Sequence, residues 1–183
     1  MTVSSGQTYL AIPGPSVIPE EVLRSMHRAA PNIYEGDLIE TTESLIPDLN
    51  YVAQSSGNVA IYIANGHGIW EAALSNIVTA NDHILVVATG RFAHGWADMA
   101  RKIGVNVDIL DFGRNRALDI EVLAKKLKSE AKTKYKAILM THVDTSTSIK
   151  NDISSIKKKL EEIDCSALLA VDCIASLACD KFE

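Results

Sequence analysis

The 183-residue chain lacks several sequence features that identify particular classes of protein. Three cysteines form an odd set without a CxxC pair, which argues against a disulfide framework and favours a reducing compartment. A formal net charge of −5 argues against the basic surface that nucleic-acid binding uses. No apolar run approaches the roughly 20 residues of a membrane span, and the start MTVSSGQTYL does not read as a signal peptide. We therefore expect a cytoplasmic protein without a membrane or nucleic-acid partner.

From residue 59 onward, short apolar runs rich in β-branched residues alternate with helical patterns. The predicted strands are Val59–Ala64, Ile84–Ala88, Val105–Leu110, Ala137–Thr141 and Leu168–Asp172. The predicted helices are Gly68–Val78, Phe92–Ile103, Asp119–Lys132 and Ile153–Ile163. Strands that are apolar throughout are typical of sheets covered on both faces. The pattern predicts an α/β fold, a three-layer sandwich with a mostly parallel sheet.

The first 58 residues have a different character and are expected to form an N-terminal arm with helices. Pro13, Gly14 and Pro15 follow one another, which is incompatible with a helix or a central strand. Pro19 is well placed to open a helix to about residue 29. A second helix is predicted from Asp37 to about residue 54, with Pro47 bending or interrupting it.

The last residues, LLAVDCIASLACDKFE, follow a buried-type strand with a loop and no covering helix. We expect a truncation, in which the chain is the N-terminal part of a longer protein. A domain that ends at this point is the alternative.

A glycine-rich turn connects the first predicted strand to the helix that follows it. Asn65, Gly66, His67 and Gly68 occupy this position. Glycines let the backbone turn sharply and approach a ligand, and the start of a helix offers free N–H groups to an anion. The turn predicts a phosphate site, although glycines that serve packing alone remain an alternative. The dinucleotide fingerprint GxGxxG is not met, because Glu71 stands at its third glycine position.

Other polar residues follow the remaining strands, at the sheet edge where parallel α/β proteins bind ligands. Asp172 ends an apolar strand, where a carboxylate needs a partner; a cationic ring nitrogen, a helix cap or a structural hydrogen bond would each supply one. His142 and Asp144 could form a metal pair, but no third ligand is visible, so no metal site is predicted. Phe92 is either a stacking plate for a planar ligand or a core residue.

These segments together resemble the class V aminotransferases, specifically the branch of alanine–glyoxylate and serine–glyoxylate (serine–pyruvate) enzymes. The shared motifs, in chain order, are Pro13-Gly14-Pro15, Asn65-Gly66-His67 with Glu71-Ala72-Ala73-Leu74, Phe92, Thr141 to Ser148, and Val171-Asp172 to Ser176. Family members usually carry tryptophan where Phe92 stands. The similarity extends over nearly the whole chain.

The resemblance implies the large domain of a fold type I enzyme that uses pyridoxal 5'-phosphate, with residues 59–183 forming part of that domain. By position, Gly66, His67 and Gly68 would contact the phosphate, and Phe92 and Ile174 would lie on opposite faces of the ring. Asp172 would pair with the ring nitrogen and Thr145 with the phenolic edge. Gly14 would approach the amino-acid substrate.

The resemblance also implies what should follow Glu183: the Schiff-base lysine, the rest of the large domain and a small domain. No catalytic residue is therefore assigned within the chain, and we expect the chain alone to be inactive. The implied reaction moves an amino group from serine or alanine to glyoxylate or pyruvate, in a homodimer. The alternative is a non-catalytic α/β module that binds a nucleotide or a phosphometabolite.

Overall fold

A computed structural model describes residues 9–129 and 134–180. Within these residues the helices are α1 (Glu20–Met26), α2 (Asp37–Ala53), α3 (Gly66–Ile77), α4 (Arg91–Lys102), α5 (Ile120–Ser129) and α6 (Ile153–Glu162). The strands are β1 (His83–Ala88), β2 (Asn106–Asp111), β3 (Tyr135–Thr141), β4 (Val143–Asp144), β5 (Ile149–Lys150) and β6 (Leu168–Asp172).

The main sheet has the strand order β2-β1-β3-β6, and all of its strands are parallel. Its side chains alternate between the two faces, as the two-residue period of a strand requires. In β1, Ile84 and Val86 enter one apolar cluster, whereas Leu85 and Val87 enter the other. Both faces are therefore buried, which is why the strands read as continuous apolar runs.

Helices cover both faces of this sheet. Leu74 of α3 and Trp96 of α4 belong to the cluster on one face. Leu123 of α5 and Ile156 of α6 belong to the cluster on the other face. The predicted three-layer α/β fold with a mostly parallel sheet is confirmed.

The topology opens a crevice between β1 and β3. The chain leaves β1 into α4, which packs on one face, and leaves β3 toward α6, which packs on the other. Loops that diverge from neighbouring parallel strands leave a gap at the carboxyl ends, and ligands of open α/β sheets bind there. The loops at residues 89–90 and 142–152 border this gap.

The strand predicted at Val59–Ala64 is wrong. These residues form neither helix nor strand, and Ile63 is fully exposed with a relative accessibility of 107%. An apolar run becomes a strand only when a neighbour accepts its backbone hydrogen bonds, and none of the described strands pairs with this segment. The side chains of Ile61 and Tyr62 are exposed for the same reason.

The other predicted elements are confirmed with small shifts at their ends. The helix predicted at Asp119–Lys132 is described only as far as Ser129, and the rest lies outside the described residues. The sequence did not predict the short antiparallel pair of β4 and β5. Ser148 makes the turn between them possible by adopting a φ of 58°.

The chain divides into two compact units, residues 1–49 and 50–183. In the first, residues 9–19 form neither helix nor strand, in agreement with the Pro-Gly-Pro prediction. None of the residues in α1 or α2 is buried, and apolar side chains such as Val22, Leu23 and Leu45 are exposed. Among the described residues, no helix is both long and apolar enough to cross a bilayer.

Candidate functional site

The start of α3 offers two backbone donors that are free to bind a ligand. The side chain of Asn65 accepts a hydrogen bond from the N–H of Gly68 at 3.1 Å, and its carbonyl accepts from Ile69 at 3.2 Å. Within the described part of the chain, the N–H groups of Gly66 and His67 have no acceptor. A helix start with unsatisfied N–H groups favours an anion. Two N–H groups are therefore available to an anion at this turn, and the phosphate site stays a prediction.

The two glycines of this turn face different surroundings. A Cβ atom at Gly68 would lie 2.6 Å from the Cβ of Ala64, so only glycine fits there. A Cβ atom at Gly66 would meet nothing within 4 Å. Gly68 therefore serves the turn itself, whereas Gly66 leaves open space that a ligand can occupy.

The indole of Trp70 lies next to predicted site residues from three elements. Its Nε1 donates a hydrogen bond to Oδ2 of Asp172 at 2.9 Å. Its ring centroid lies 4.6 Å from that of His67 and 6.3 Å from that of Phe92. One buried side chain thus lies next to the turn at residues 65–68 (the predicted phosphate turn), to Phe92 and to Asp172.

Asp172 stands at the carboxyl end of β6 and is half-buried. Its Oδ1 accepts a hydrogen bond from the N–H of Ile174 at 2.9 Å, so each carboxylate oxygen has one protein donor. Each oxygen keeps lone-pair capacity for a ligand. Burial, with the neighbouring Asp172 charge, raises the pKa of the Cys173 thiol to about 11, so that thiol is neutral and a poor nucleophile at pH 7.

Asp144 is fully buried and organises the start of α4 from the opposite loop. Its Oδ2 accepts hydrogen bonds from the N–H groups of Phe92 at 3.0 Å and Ala93 at 3.4 Å. Its Oδ1 accepts from the N–H of Ser146 at 3.0 Å and from the Ser146 hydroxyl at 2.6 Å. A Cβ atom at Gly90 would overlap the Asp144 carboxylate, so glycine is required at that position. Asp144 therefore fixes the backbone of Phe92.

Asn151 joins the loops on either side of the crevice. It is buried, and its Nδ2 donates to the hydroxyl of Thr89 at 3.1 Å and to the carbonyl of Thr141 at 2.9 Å. Its Oδ1 accepts from the N–H of Leu118 at 2.9 Å. The neighbouring Asp152 caps α6, since its side chain accepts a hydrogen bond from the N–H of Ser155.

His142 is buried beside β6. Its backbone N–H donates to the carbonyl of Asp172 at 2.8 Å, and its Nδ1 lies 2.8 Å from the hydroxyl of Ser176. Burial, with the nearby Lys150 charge, lowers the pKa of His142 below its ordinary value, and Asp180 partly opposes this effect. His142 and Asp144 have these separate partners, which accounts for both residues without a metal.

We expect the free energy of unfolding to fall as the pH is lowered from about 6.5. Below that pH the unfolded chain binds a proton at His142 that the folded chain resists, because the folded pKa is lower than the ordinary value of 6.5. The loss ends once the pH passes the folded pKa. Urea unfolding at a series of pH values measures it, and His142→Gln should flatten the curve in this window. A curve for His142→Gln that is as steep as that of the wild-type chain contradicts the assignment.

The sequence matches the family model of the class V aminotransferases over residues 8–181. The chain belongs to the class V aminotransferase family. It spans about half the length of the curated relatives that it matches, 45% of one and 44% of another.

Several proteins named as glyoxylate aminotransferases are similar to this class V aminotransferase chain over most of its length. Serine–glyoxylate aminotransferase of Arabidopsis thaliana is 32% identical over 179 residues, which cover 97% of this chain and 45% of the relative. The enzyme of the same name from Methylorubrum extorquens is 30% identical, covering 97% and 44%. Among solved structures, ureidoglycine–glyoxylate aminotransferase from Bacillus subtilis superposes with a TM-score of 0.82 at 26% identity, covering 92% of this chain and 43% of that one.

The remaining predicted site residues of this class V aminotransferase chain differ in their exposure. Thr145 is half-buried in the turn that follows Asp144. Ile174 is 74% exposed. Gly14 is exposed in the first unit, with a φ of 141° and open space where a Cβ would stand.

Sequence reasoning missed three residues that build the site: Trp70, Asp144 in its structural role, and Asn151. Trp70 falls on the buried face of α3, where an aromatic reads as ordinary core. Asp144 and Asn151 are polar residues that follow the apolar strand β3. Their side chains are completely or almost completely buried. Polar residues beside buried strands are a usable signal, because burial forces them to find partners.

Proposed function

We propose that this chain binds pyridoxal 5'-phosphate as part of a transaminase that moves an amino group from serine or alanine to glyoxylate or pyruvate. The observation that carries the proposal is the convergence of the Gly66 turn, Phe92 and Asp172 on the indole of Trp70. The family match and the serine–glyoxylate relatives support it. The Schiff-base lysine implied by the family is not assigned to any residue of this chain.

The described residues fit the cofactor at both of its ends. The free N–H groups of Gly66 and His67, and the open space at Gly66, suit a phosphate. The carboxylate of Asp172 suits a protonated ring nitrogen. When bound, the cofactor supplies an electron sink for a carbanion of the substrate.

The protein's own part in this proposal is to bind and orient. Gly66 and His67 bind the phosphate through their free N–H groups, Gly68 shapes the turn that presents them, and Phe92 covers one face of the ring. Asp172 keeps the ring nitrogen protonated, because a close negative charge raises the pKa of a cationic acid. Thr145 donates to the phenolic edge, Ile174 covers the other face, and the segment around Gly14 approaches the amino-acid substrate.

The proposed assembly is a cytoplasmic homodimer whose substrates are an amino acid and a 2-oxo acid. The proposal places the interface with the other copy in the first unit, where many large apolar side chains are exposed. Examples in α1 and α2 are Val22, Leu23, Leu45 and Leu49.

The Gly66→Ala variant tests the phosphate site. The added methyl group meets no protein atom within 4 Å, so we expect the fold to tolerate it. It enters the space assigned to the phosphate, and affinity for pyridoxamine phosphate should fall about tenfold, as for one lost charge-assisted hydrogen bond. Titration calorimetry measures this; the amine form is used because it does not condense with surface lysines.

Pyridoxamine without phosphate is the matched control ligand, and its affinity should be the same for Gly66→Ala and the wild-type chain. Equal loss for both ligands, or no loss for either, contradicts the phosphate assignment. A wild-type chain that binds unrelated phosphometabolites as tightly as it binds pyridoxamine phosphate favours the alternative of a non-catalytic binding module.

A further inference from the structure

The hydrogen bond between Trp70 and Asp172 connects two residues that are 102 positions apart in the sequence. Trp70 lies one turn into α3, the helix whose start forms the phosphate turn, and Asp172 ends β6. The bond is 2.9 Å long, and the indole is 4% exposed. A buried N–H to carboxylate bond is stronger than a neutral one and fixes direction as well as distance.

The indole is itself held in place from several sides. The ring of Trp96 stacks on it at 5.7 Å with an interplanar angle of 13°, and His67 meets it edge-on. A Cβ atom at Gly95 would lie 3.4 Å from Cζ3 of Trp70, so glycine there leaves room for the ring. The N–H of Trp70 therefore points at Asp172 from a rigid support.

The carboxylate of Asp172 has one donor on each oxygen. Trp70 donates to Oδ2, and the backbone of Ile174 donates to Oδ1. Donors on both oxygens from two separate elements define the plane in which the carboxylate lies. The remaining lone pairs, and hence the direction available to a further donor, are then defined as well.

We propose that Trp70 is a positioning residue that orients the Asp172 carboxylate toward the ring nitrogen of the cofactor. This inference rests on the proposed function. It also links the phosphate turn to the ring-nitrogen partner through one side chain, so that the two ends of the cofactor are held in register by α3. Trp96 carries no such role, because its Nε1 has no acceptor among the described residues.

The test compares Trp70→Phe with Trp96→Phe, each of which removes one indole from the stacked pair. The probes are pyridoxamine phosphate and its analogue in which a C–H group replaces the ring nitrogen. The wild-type chain should prefer the nitrogen-containing probe. Trp70→Phe should reduce that preference about tenfold, as expected for a charge-assisted hydrogen bond, whereas Trp96→Phe should retain it. Loss of packing alone would weaken both probes equally.

A measurement without the Trp70 variant keeps the test decisive if that variant does not fold. In Trp96→Phe the single indole N–H resonance belongs to Trp70. It should shift when pyridoxamine phosphate is added and shift much less with the nitrogen-free analogue. An unchanged probe preference in Trp70→Phe, or equal shifts with both probes, overturns the inference alone. A wild-type chain that binds neither probe overturns the proposed function, and the inference with it.

Discussion

We expect replacement of Asp172 with asparagine to lower the turnover number of the proposed transaminase by at least about a hundredfold. Losses of this order follow removal of one preorganised electrostatic contact at a reacting centre. An amide is neutral, so it cannot hold a ring nitrogen in its protonated form. It also offers one acceptor oxygen to two donors, the N–H of Trp70 and the N–H of Ile174, and thereby disturbs the orientation of the side chain.

Steady-state transamination measures this effect, and Asp164→Asn is the matched control. Asp164 is exposed and has a φ of 52°, a backbone conformation that asparagine tolerates well. We expect the control variant to retain normal turnover. A turnover number near that of the wild-type enzyme for Asp172→Asn would remove the proposed ring-nitrogen role.

Replacing Asp144 with alanine should lower the free energy of unfolding by about 3–5 kcal/mol, because this carboxylate is fully buried and several donors lose their acceptor with it. Those donors are the N–H groups of Phe92, Ala93 and Ser146 and the hydroxyl of Ser146. Urea unfolding measures the change. Asp152→Ala is the matched control, since Asp152 also accepts from a serine N–H and hydroxyl but is exposed; we expect a loss of only about 1 kcal/mol there.

Gly90→Ala extends the same test. The added methyl group overlaps the Asp144 carboxylate, and overpacking of this kind costs about 1–3 kcal/mol or more. In the double variant with Asp144→Ala the overlap is gone. The loss of unfolding free energy in the double variant should therefore be smaller than the sum of the losses in the two single variants. Additive losses would show that the close approach of Gly90 to Asp144 does not limit stability.

The helices and strands that form the layers of the fold were predictable, because the apolar pattern of each lies within a single segment of the sequence. β1, β3 and β6 are mainly apolar runs, although β2 also carries Asn106, Asp108 and Asp111, and α4 and α6 carry clear helical periodicity. The segment at 59–64 has the same apolar signal but no described strand beside it, and hydrogen-bond partners cannot be deduced from one segment. Pairing is therefore where the prediction of the fold failed.

The site was predictable in its motifs and not in its connections. Phe92 and Asp172 stand just after β1 and at the end of β6, so the parallel sheet brings them to one edge, whereas Gly66 follows no described strand and its place depends on the packing of α3. The contact of Trp70 with Asp172 spans 102 positions and depends on which way a helix face turns. The bond of Asp144 to the start of α4 spans 52 positions and likewise follows from tertiary packing.

The two tryptophans of the chain have a practical consequence. They are the sole indoles in the sequence, and their rings lie 5.7 Å apart and nearly parallel. Near-ultraviolet circular dichroism and intrinsic emission from indole thus originate at a single locus, directly beside the phosphate turn. The protein carries its own optical reporter, and both the docking of α3 on α4 and the arrival of a small molecule can be followed without any label.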